Sequence, residues 1–274
     1  MLDGGFMVRK ANELAARPLA FDLDAWLSEH FDPTALAVCN GAQLEEKFIA
    51  PLLTRLGWSR VYQAGLTVQG KFAKPDCCLL LQPEQENTLI AGCDHTLVTA
   101  VCESKAWGKA GRDKNPHHQL QDYLGTLRAR FGFLTNGRLW RMYDTDKITA
   151  KKTFIEFDLE RVCALPDAEE KRGALVLLAF FFDRDTYAPP PEAGVSSAIE
   201  QTIAASADFT LAVEKNLKAV IYGYAGEDSL FEIMGRAIHQ ANPQASRRWS
   251  MKTAWCCCSG CCSLCIWRIR TRRF

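Results

Sequence analysis

Three short segments of this chain carry residue types that can manage a divalent cation and a water molecule. Pro75-Asp76 precedes an apolar run, Cys77 to Leu81, and Glu103-Ser104-Lys105 ends another, Thr96 to Cys102. Residues two apart on a strand share a face, so Glu103 and Lys105 project together. If the two runs pair antiparallel, Asp76 approaches Glu103. Two carboxylates about 4–5 Å apart repel unless a divalent cation sits between them, and Mg²⁺ accepts such oxygen ligands. Lys105 beside that ion could orient or polarise a water for attack on a phosphodiester. Glu45 falls near the middle of an apolar helix face, a costly place for a carboxylate, and gains a purpose as a third acid. Gln119 and Tyr123 are i, i+4 on a later helix and share a face as well.

These residues need elements to position them. Leu44, Phe48, Ile49, Leu52, Leu53 and Leu56 recur at helical spacing over Gln43 to Gly57, and Gly57 is a plausible stop. Pro51, inside that pattern, should kink or loosen the helix. Three strand-like runs follow: Val61 to Val68, Cys77 to Leu81, and Thr96 to Cys102. The continuous apolar character of Cys77–Leu81 suits a buried central strand. The polar Gln82–Asp94 segment between the last two reads as a hairpin loop. A loop then covers Gly108 to Pro116, and a helix His117 to Arg130. Phe131–Thr135 and Arg138–Tyr143 flank Asn136-Gly137, the strongest short hairpin signal in the chain, and a last strand is expected over Thr153 to Asp158. From Asp167 the pattern turns helical, with candidates at Glu169–Phe182, Ser196–Gly223 and Ser229–Gln240. Pro189-Pro190-Pro191 marks a bend or linker between the first two.

Pro75-Asp76 followed by Glu103-x-Lys105, in a helix, three-strand, helix, strand order, resembles the PD-(D/E)xK nuclease superfamily. Gln119-x-x-x-Tyr123 is similar to the motif that follows the catalytic strand in several of its branches. More narrowly, Glu45 through Pro51–Trp58, Lys74-Pro75-Asp76, Glu103–Trp107 and Leu134–Trp140 resemble the nuclease end of type IIG restriction–modification enzymes. The resemblance covers roughly residues 43–160. It implies an α/β (α+β) fold with a restriction-endonuclease-like αβββαβ core and a mixed central sheet, followed by a helical segment. It also implies a Mg²⁺-dependent DNA endonuclease whose partner is duplex DNA, with Asp76 and Glu103 holding the metal, Lys105 positioning the attacking water and Glu45 assisting. Gln119, Tyr123, Lys109 and Arg112 would support the site or contact DNA. No Asn-Pro-Pro-Tyr motif and no Gly-rich cofactor loop occur, so S-adenosylmethionine is not expected on this chain, and methyl transfer and specificity would belong to a missing portion. Two alternatives stay open: a repair or recombination nuclease of the same superfamily, and a non-catalytic DNA-binding or assembly remnant.

Composition sets the outer bounds. The 274 residues are 48% hydrophobic and 24% charged, which suits a globular protein and excludes disorder as the main state. No run of about 18 apolar residues exists to cross a membrane, and no secretory signal opens the chain, so the expectation is cytoplasmic. The near-neutral total of 33 basic and 32 acidic residues hides a division. Seven basic and no acidic residues lie from Arg247 onward, which leaves residues 1–246 net acidic. A DNA channel would therefore need a local field. Lys105, Lys109, Arg112, Lys114, Arg128, Arg130, Arg138 and Arg141 form a candidate basic set for it, with a solvated charged surface as the alternative.

Six of the 12 cysteines fall between Cys256 and Cys265. Adjacent triple cysteines do not match the paired spacing of zinc sites, and a disulfide scaffold fits poorly without a secretory signal. One consistent set of codons, shifted by one base, turns the segment from Ser250 into Y-E-N-S-M-V-L-L-F-R-L-L, an amphipathic helix. The expected organisation is thus an N-terminal extension (1–42), a nuclease-like domain (43–165), a helical connector (166–246) and an out-of-frame tail (247–274).

Overall fold

A strand that is apolar on both faces needs cover on both sides, and the central runs of this chain receive it. The computed structural model describes residues 4–14, 21–92, 94–107, 115–147, 154–206, 208 and 230–241. Its strands are β1 (Ser59–Tyr62), β2 (Leu66–Val68), β3 (Lys71–Ala73), β4 (Cys77–Leu80), β5 (Ala100–Ser104), β6 (Phe131–Thr135), β7 (Leu139–Asp144) and β8 (Ile155–Asp158). Six of them form a mixed sheet in the order β1-β4-β5-β6-β7-β8, while β2 and β3 pair as a separate hairpin. Only β5 and β6 run parallel. That pair needs a crossover, supplied by the helix Asn115–Leu127. The expected order of helix, three strands, helix and strand is therefore present in an α/β fold.

The two sheet faces have different cover. Cys77, Leu79, Ala100, Cys102 and Phe133 pack in one layer with Phe48 and Leu52 of the helical stretch 41–55 and with Phe180–Phe182 of the helix Ala168–Phe182. Trp58 pins that layer, its indole N–H donating to the Phe182 carbonyl at 2.7 Å. Cys78, Leu80, Val101 and Leu134 face the other way, against Leu120, Leu124 and Leu127 and the β2–β3 hairpin. Cys77, Cys78 and Cys102 are thus buried core residues, and burial pushes the Cys78 thiol up to about 12.

Gly132 on β6 is what lets the crossover helix lie close. A Cβ there would meet Leu124 Cδ1 at 2.8 Å and Leu120 side-chain atoms at 3.1 and 3.2 Å. Gly132→Ala should cost about 1–3 kcal/mol by overpacking, read as a lower denaturant midpoint with an unchanged slope.

Three local expectations are corrected. Val61–Val68 is not one strand: β1 ends at Tyr62 and the chain leaves the sheet at Gln63, whose φ is 46°. It makes the β2–β3 hairpin and returns at Asp76, where the Gln63 N–H donates to the Asp76 carbonyl at 3.0 Å. The segment between β4 and β5 is not a simple hairpin loop but contains a helix, Gln85–Gly92. The third run becomes extended only at Ala100, because a 3₁₀ turn, His95–Leu97, capped by the Asp94 carboxylate, occupies its start. In each case a polar cap or a packing surface outweighed local propensity.

The chain divides into two units, Met1–Ala204 and Ala205–Phe274, and Leu230–Ala241 is a described helix of the second. No helix among the described residues is long and apolar enough to cross a membrane. The cysteine-rich tail 247–274, Lys109, Arg112 and Lys114 lie outside the described residues.

Candidate active site

Proline at position 51 shapes the first element of the site. It has no N–H for the carbonyl of Lys47 and its ring crowds that carbonyl. The turn before it widens: Glu45–Ile49 is a single π-turn between the α-helical pieces Gly41–Leu44 and Ala50–Arg55. The Ala50 N–H donates to the Glu45 carbonyl, five residues back. The expected loosening is thus a change of hydrogen-bond register. Such bulges commonly re-aim side chains at functional positions. Here Glu45 lies at the start of the bulge, half-buried, with Oε2 accepting from the Ser104 hydroxyl at 3.0 Å.

The pairing of β4 with β5 provides the rest. Cys77 lies opposite Cys102 and Cys78 opposite Val101, so one more step along the antiparallel register sets Asp76 against Glu103. The Asp76 N–H lies 3.5 Å from Glu103 Oε2. The Asp76 carboxylate turns toward the end of β5, with Oδ2 accepting from the Ser104 N–H at 2.9 Å and from the Ser104 hydroxyl at 3.1 Å. Glu103 is fully buried, and Lys105 Nζ donates to its Oε1 at 2.5 Å. The Lys105 N–H donates to the Thr135 carbonyl at 2.8 Å, which extends the parallel ladder and fixes where the lysine leaves the sheet.

Strand alternation places these groups on two sides. Glu103 and Lys105 continue the face of Val101, toward the crossover helix, whereas Ser104 continues the face of Cys102, toward Glu45. Asp76 stands between, and Ser104 shares one hydroxyl proton between Asp76 and Glu45. Among the described residues no three His, Cys, Asp or Glu side chains close around a single point to hold an ion. Glu45, Asp76 and Ser104 instead border a cavity of about 10 Å³ that also touches Cys77, Cys102 and Tyr62, room for about one water-sized sphere.

Electrostatics couple the three acids. Burial raises the Glu103 carboxyl above its usual 4.5, and the Asp76 charge adds to that, while Lys105 opposes it. Burial likewise raises Glu45, with Asp76 adding and Ser104, Arg60 and Lys105 opposing. A raised carboxyl keeps its proton in the folded state at a pH where the unfolded chain has released it. Stability therefore falls as pH rises from about the ordinary value through the raised one, and stays low above it. Glu45→Gln, which can still accept from Ser104, should melt higher than the parent at pH 7 without metal. That difference should vanish below the ordinary carboxylate range, where both states are protonated. A thermal-melt series in pH checks the sign.

The remaining candidates are placed less directly. Gln119 Nε2 donates to the Tyr123 hydroxyl at 3.0 Å, so this pair is satisfied internally on the crossover helix. His118 is exposed, whereas His117 is buried with its ring 5.1 Å from that of Tyr143. Among the described members of the candidate basic set, the three arginines of β6–β7 and its approach are already paired with carboxylates. Arg130 pairs with Asp144, Asp146 and Glu200, Arg138 with Asp158 and Glu160, and Arg141 with Glu156. Those pairs fasten strands and helices, so these three arginines are engaged within the fold. Trp140 is core, and Trp107 packs on Phe31 while its carbonyl accepts from the Asn136 amide, which ties the β6–β7 turn to the segment after Lys105. Ser104 was not anticipated as a site residue, and its only sequence signal was its place between Glu103 and Lys105.

No family model and no curated protein matches the chain. Among solved structures it is similar to a chain in the cryo-EM structure of a DrdV–DNA complex, at 15% identity and a TM-score of 0.34. The match covers 90% of this chain and 20% of that one.

Proposed function

We propose that this chain is a Mg²⁺-dependent endonuclease domain that hydrolyses phosphodiester bonds of duplex DNA in the cytoplasm, the cleaving part of a type IIG-like restriction–modification enzyme. Base recognition and methyl transfer are assigned to protein outside this chain. The observation that carries the reading is the β4–β5 register, which sets Asp76 against Glu103 at a sheet end while Lys105 holds the outer oxygen of Glu103.

The donor set suits Mg²⁺. That ion keeps several waters and is usually held by one or two carboxylates together with substrate phosphates, so it does not require a three-acid cage. Glu103 and Glu45 are each driven toward the neutral form by burial and by the Asp76 charge, a mutual repulsion that a divalent cation relieves. Asp76 and Glu103 are the proposed ligands. When bound, the ion supplies charge neutralisation for the phosphoryl oxygens and a lower pKa for its water.

The protein groups divide the remaining work. Glu103 keeps the Lys105 ammonium at the sheet end, where it can orient an attacking water and offset charge developing on the phosphate. Ser104 fixes the Asp76 carboxylate through two hydrogen bonds to one oxygen, leaving the other for a ligand. Glu45, on the far side of Ser104, restrains that hydroxyl and can accept a proton.

Supercoiled plasmid tests the proposal. With the full chain, conversion to open circles in Mg²⁺ but not in EDTA is the expected result, and it should be absent from the Asp76 variant argued in the Discussion. A well-folded chain that leaves plasmid intact across Mg²⁺ concentrations counts against it.

A further inference from the structure

Beside the acids lies a second, larger hollow that the proposed chemistry does not use. It has a volume of about 500 Å³ and is bordered by Glu45, Glu46, Pro51, Thr54, Arg60 and Tyr62 among others. Glu45, Ala50 and Tyr62 border both this hollow and the small cavity at Asp76 and Ser104, so one opens beside the other. The volume is in the range that holds a small organic ligand.

Its floor comes from β1, the edge strand of the sheet. Arg60 lies opposite Leu79 and Tyr62 opposite Cys77, so the two are period-two neighbours on the face that carries Ser104 and Glu45. Among the described residues, Tyr62 is one of the few large hydrophobic side chains left in solvent, at 48% exposure. The Arg60 guanidinium lies 5.3 Å from its ring centroid, a cation–π contact that holds the ring in place. The Arg60 guanidinium is anchored through Nη1, which donates to the Ala50 carbonyl at 2.5 Å, in the turn disturbed by Pro51. Among the described residues it makes no ion pair with a carboxylate, unlike Arg130, Arg138 and Arg141. Its charge is therefore available, and it already acts on Glu45 across the hollow.

We propose that this hollow is a nucleotide subsite, in which Tyr62 stacks on the base or sugar next to the scissile bond and Arg60 binds the adjoining phosphate. An exposed ring braced by an arginine is suited to stacking without regard to base identity, and the remaining guanidinium N–H groups suit a phosphate oxygen pair. The subsite would hold one strand so that the neighbouring phosphate falls at Asp76. It rests on the nuclease reading for its role in cleavage, though not for the binding itself.

The probe is deoxythymidine 3′,5′-bisphosphate, a nucleoside with a phosphate on each side, titrated calorimetrically into the full chain without divalent metal. Tyr62→Ala should weaken binding about tenfold, toward the low end of what one stacked base contributes, and Tyr62→Phe should restore it. Arg60→Gln should weaken both the bisphosphate and inorganic phosphate, whereas Tyr62→Ala should leave inorganic phosphate unchanged. Because Arg60 also ties the bulged helix, Arg60→Lys serves as a charge-keeping control, and thermal melts screen every variant. In plasmid nicking, Tyr62→Ala should raise KM with little change in kcat. Bisphosphate binding indifferent to Tyr62 overturns the subsite, even if the chain nicks plasmid. Binding that depends on Tyr62 and Arg60 in a chain that never nicks upholds the subsite and removes the nuclease reading instead.

Discussion

Asp76→Asn should lower Mg²⁺-dependent nicking by about 10²–10³-fold, the scale of losing one preorganised charge-stabilising group, while the chain melts at the same temperature or higher. The two halves of that result have one cause. In the metal-free fold the Asp76 carboxylate adds to the repulsion that raises Glu45 and Glu103. An amide oxygen at the same place can still accept from the Ser104 N–H and hydroxyl, so the end of β5 keeps its partner and loses only the charge. A ligand that binds the folded state alone raises stability by mass action. Mg²⁺ should therefore raise the melting temperature of the parent and not that of Asp76→Asn. Calorimetric melts with and without Mg²⁺, beside plasmid nicking, separate a lost ligand from a lost fold. A variant that nicks as well as the parent places the chemistry elsewhere.

Lys105→Ala should reduce kcat by about 10²–10⁴-fold, the range for a positioned group that handles a proton or water in the transition state. Its consequences for the fold differ from those of Asp76→Asn. Glu103 has a side-chain exposure of 1% and Lys105 of 22%, so removing the lysine strands a buried carboxylate. Breaking such a pair costs about 3–5 kcal/mol when the charge must stay. Glu103 can escape part of that cost by keeping its proton, because Lys105 is among the groups that hold its pKa down. The destabilisation should then grow as pH rises and shrink in acid. The same shift acts on activity: a metal ligand must be deprotonated, so any residual nicking should lose its acid limb at a higher pH than in the parent. Lys105→Arg keeps the ion pair and should keep the fold, which leaves its nicking rate to report on water positioning alone. An alanine variant with an unchanged pH profile argues against Lys105 acting on Glu103.

Several parts of this arrangement could be read before any fold was known, because their causes are local. Strand periodicity sets Glu103 and Lys105 on one face whatever lies beside them. The missing N–H of Pro51 disturbs its helix in any context, and the disturbance falls at Glu45–Ile49. The turn at Asn136-Gly137 needs one residue with positive φ, and Gly137 takes it at 81°. The apolar runs of β4, β5 and β6 announce a sheet covered on both faces. The helix at Ala168–Phe182 has its own N-cap in Asp167.

Other features depend on partners distant in sequence. Asp76 and Glu103 are 27 residues apart, and only the register of β4 on β5 brings them opposite each other. A slip of one residue would turn every side chain of β4 to the other face. Nothing local marks Ser104 as the link between Asp76 and Glu45, since its partners come from another strand and from a helix 59 residues earlier. The hairpin 66–73 and the helix Gln85–Gly92 interrupt what reads as plain strand and loop, because the hairpin packs on the crossover helix and Leu89 gives the short helix a buried face. The basic residues near the site are the plainest case. A list of lysines and arginines cannot tell a field aimed at DNA from one already spent on carboxylates. Folding brought Asp144, Asp158 and Glu156 to Arg130, Arg138 and Arg141, and left Arg60 beside an exposed tyrosine. Chain-local sterics and periodicity are written residue by residue, whereas charge neutralisation and strand register are properties of pairs that only the folded chain selects.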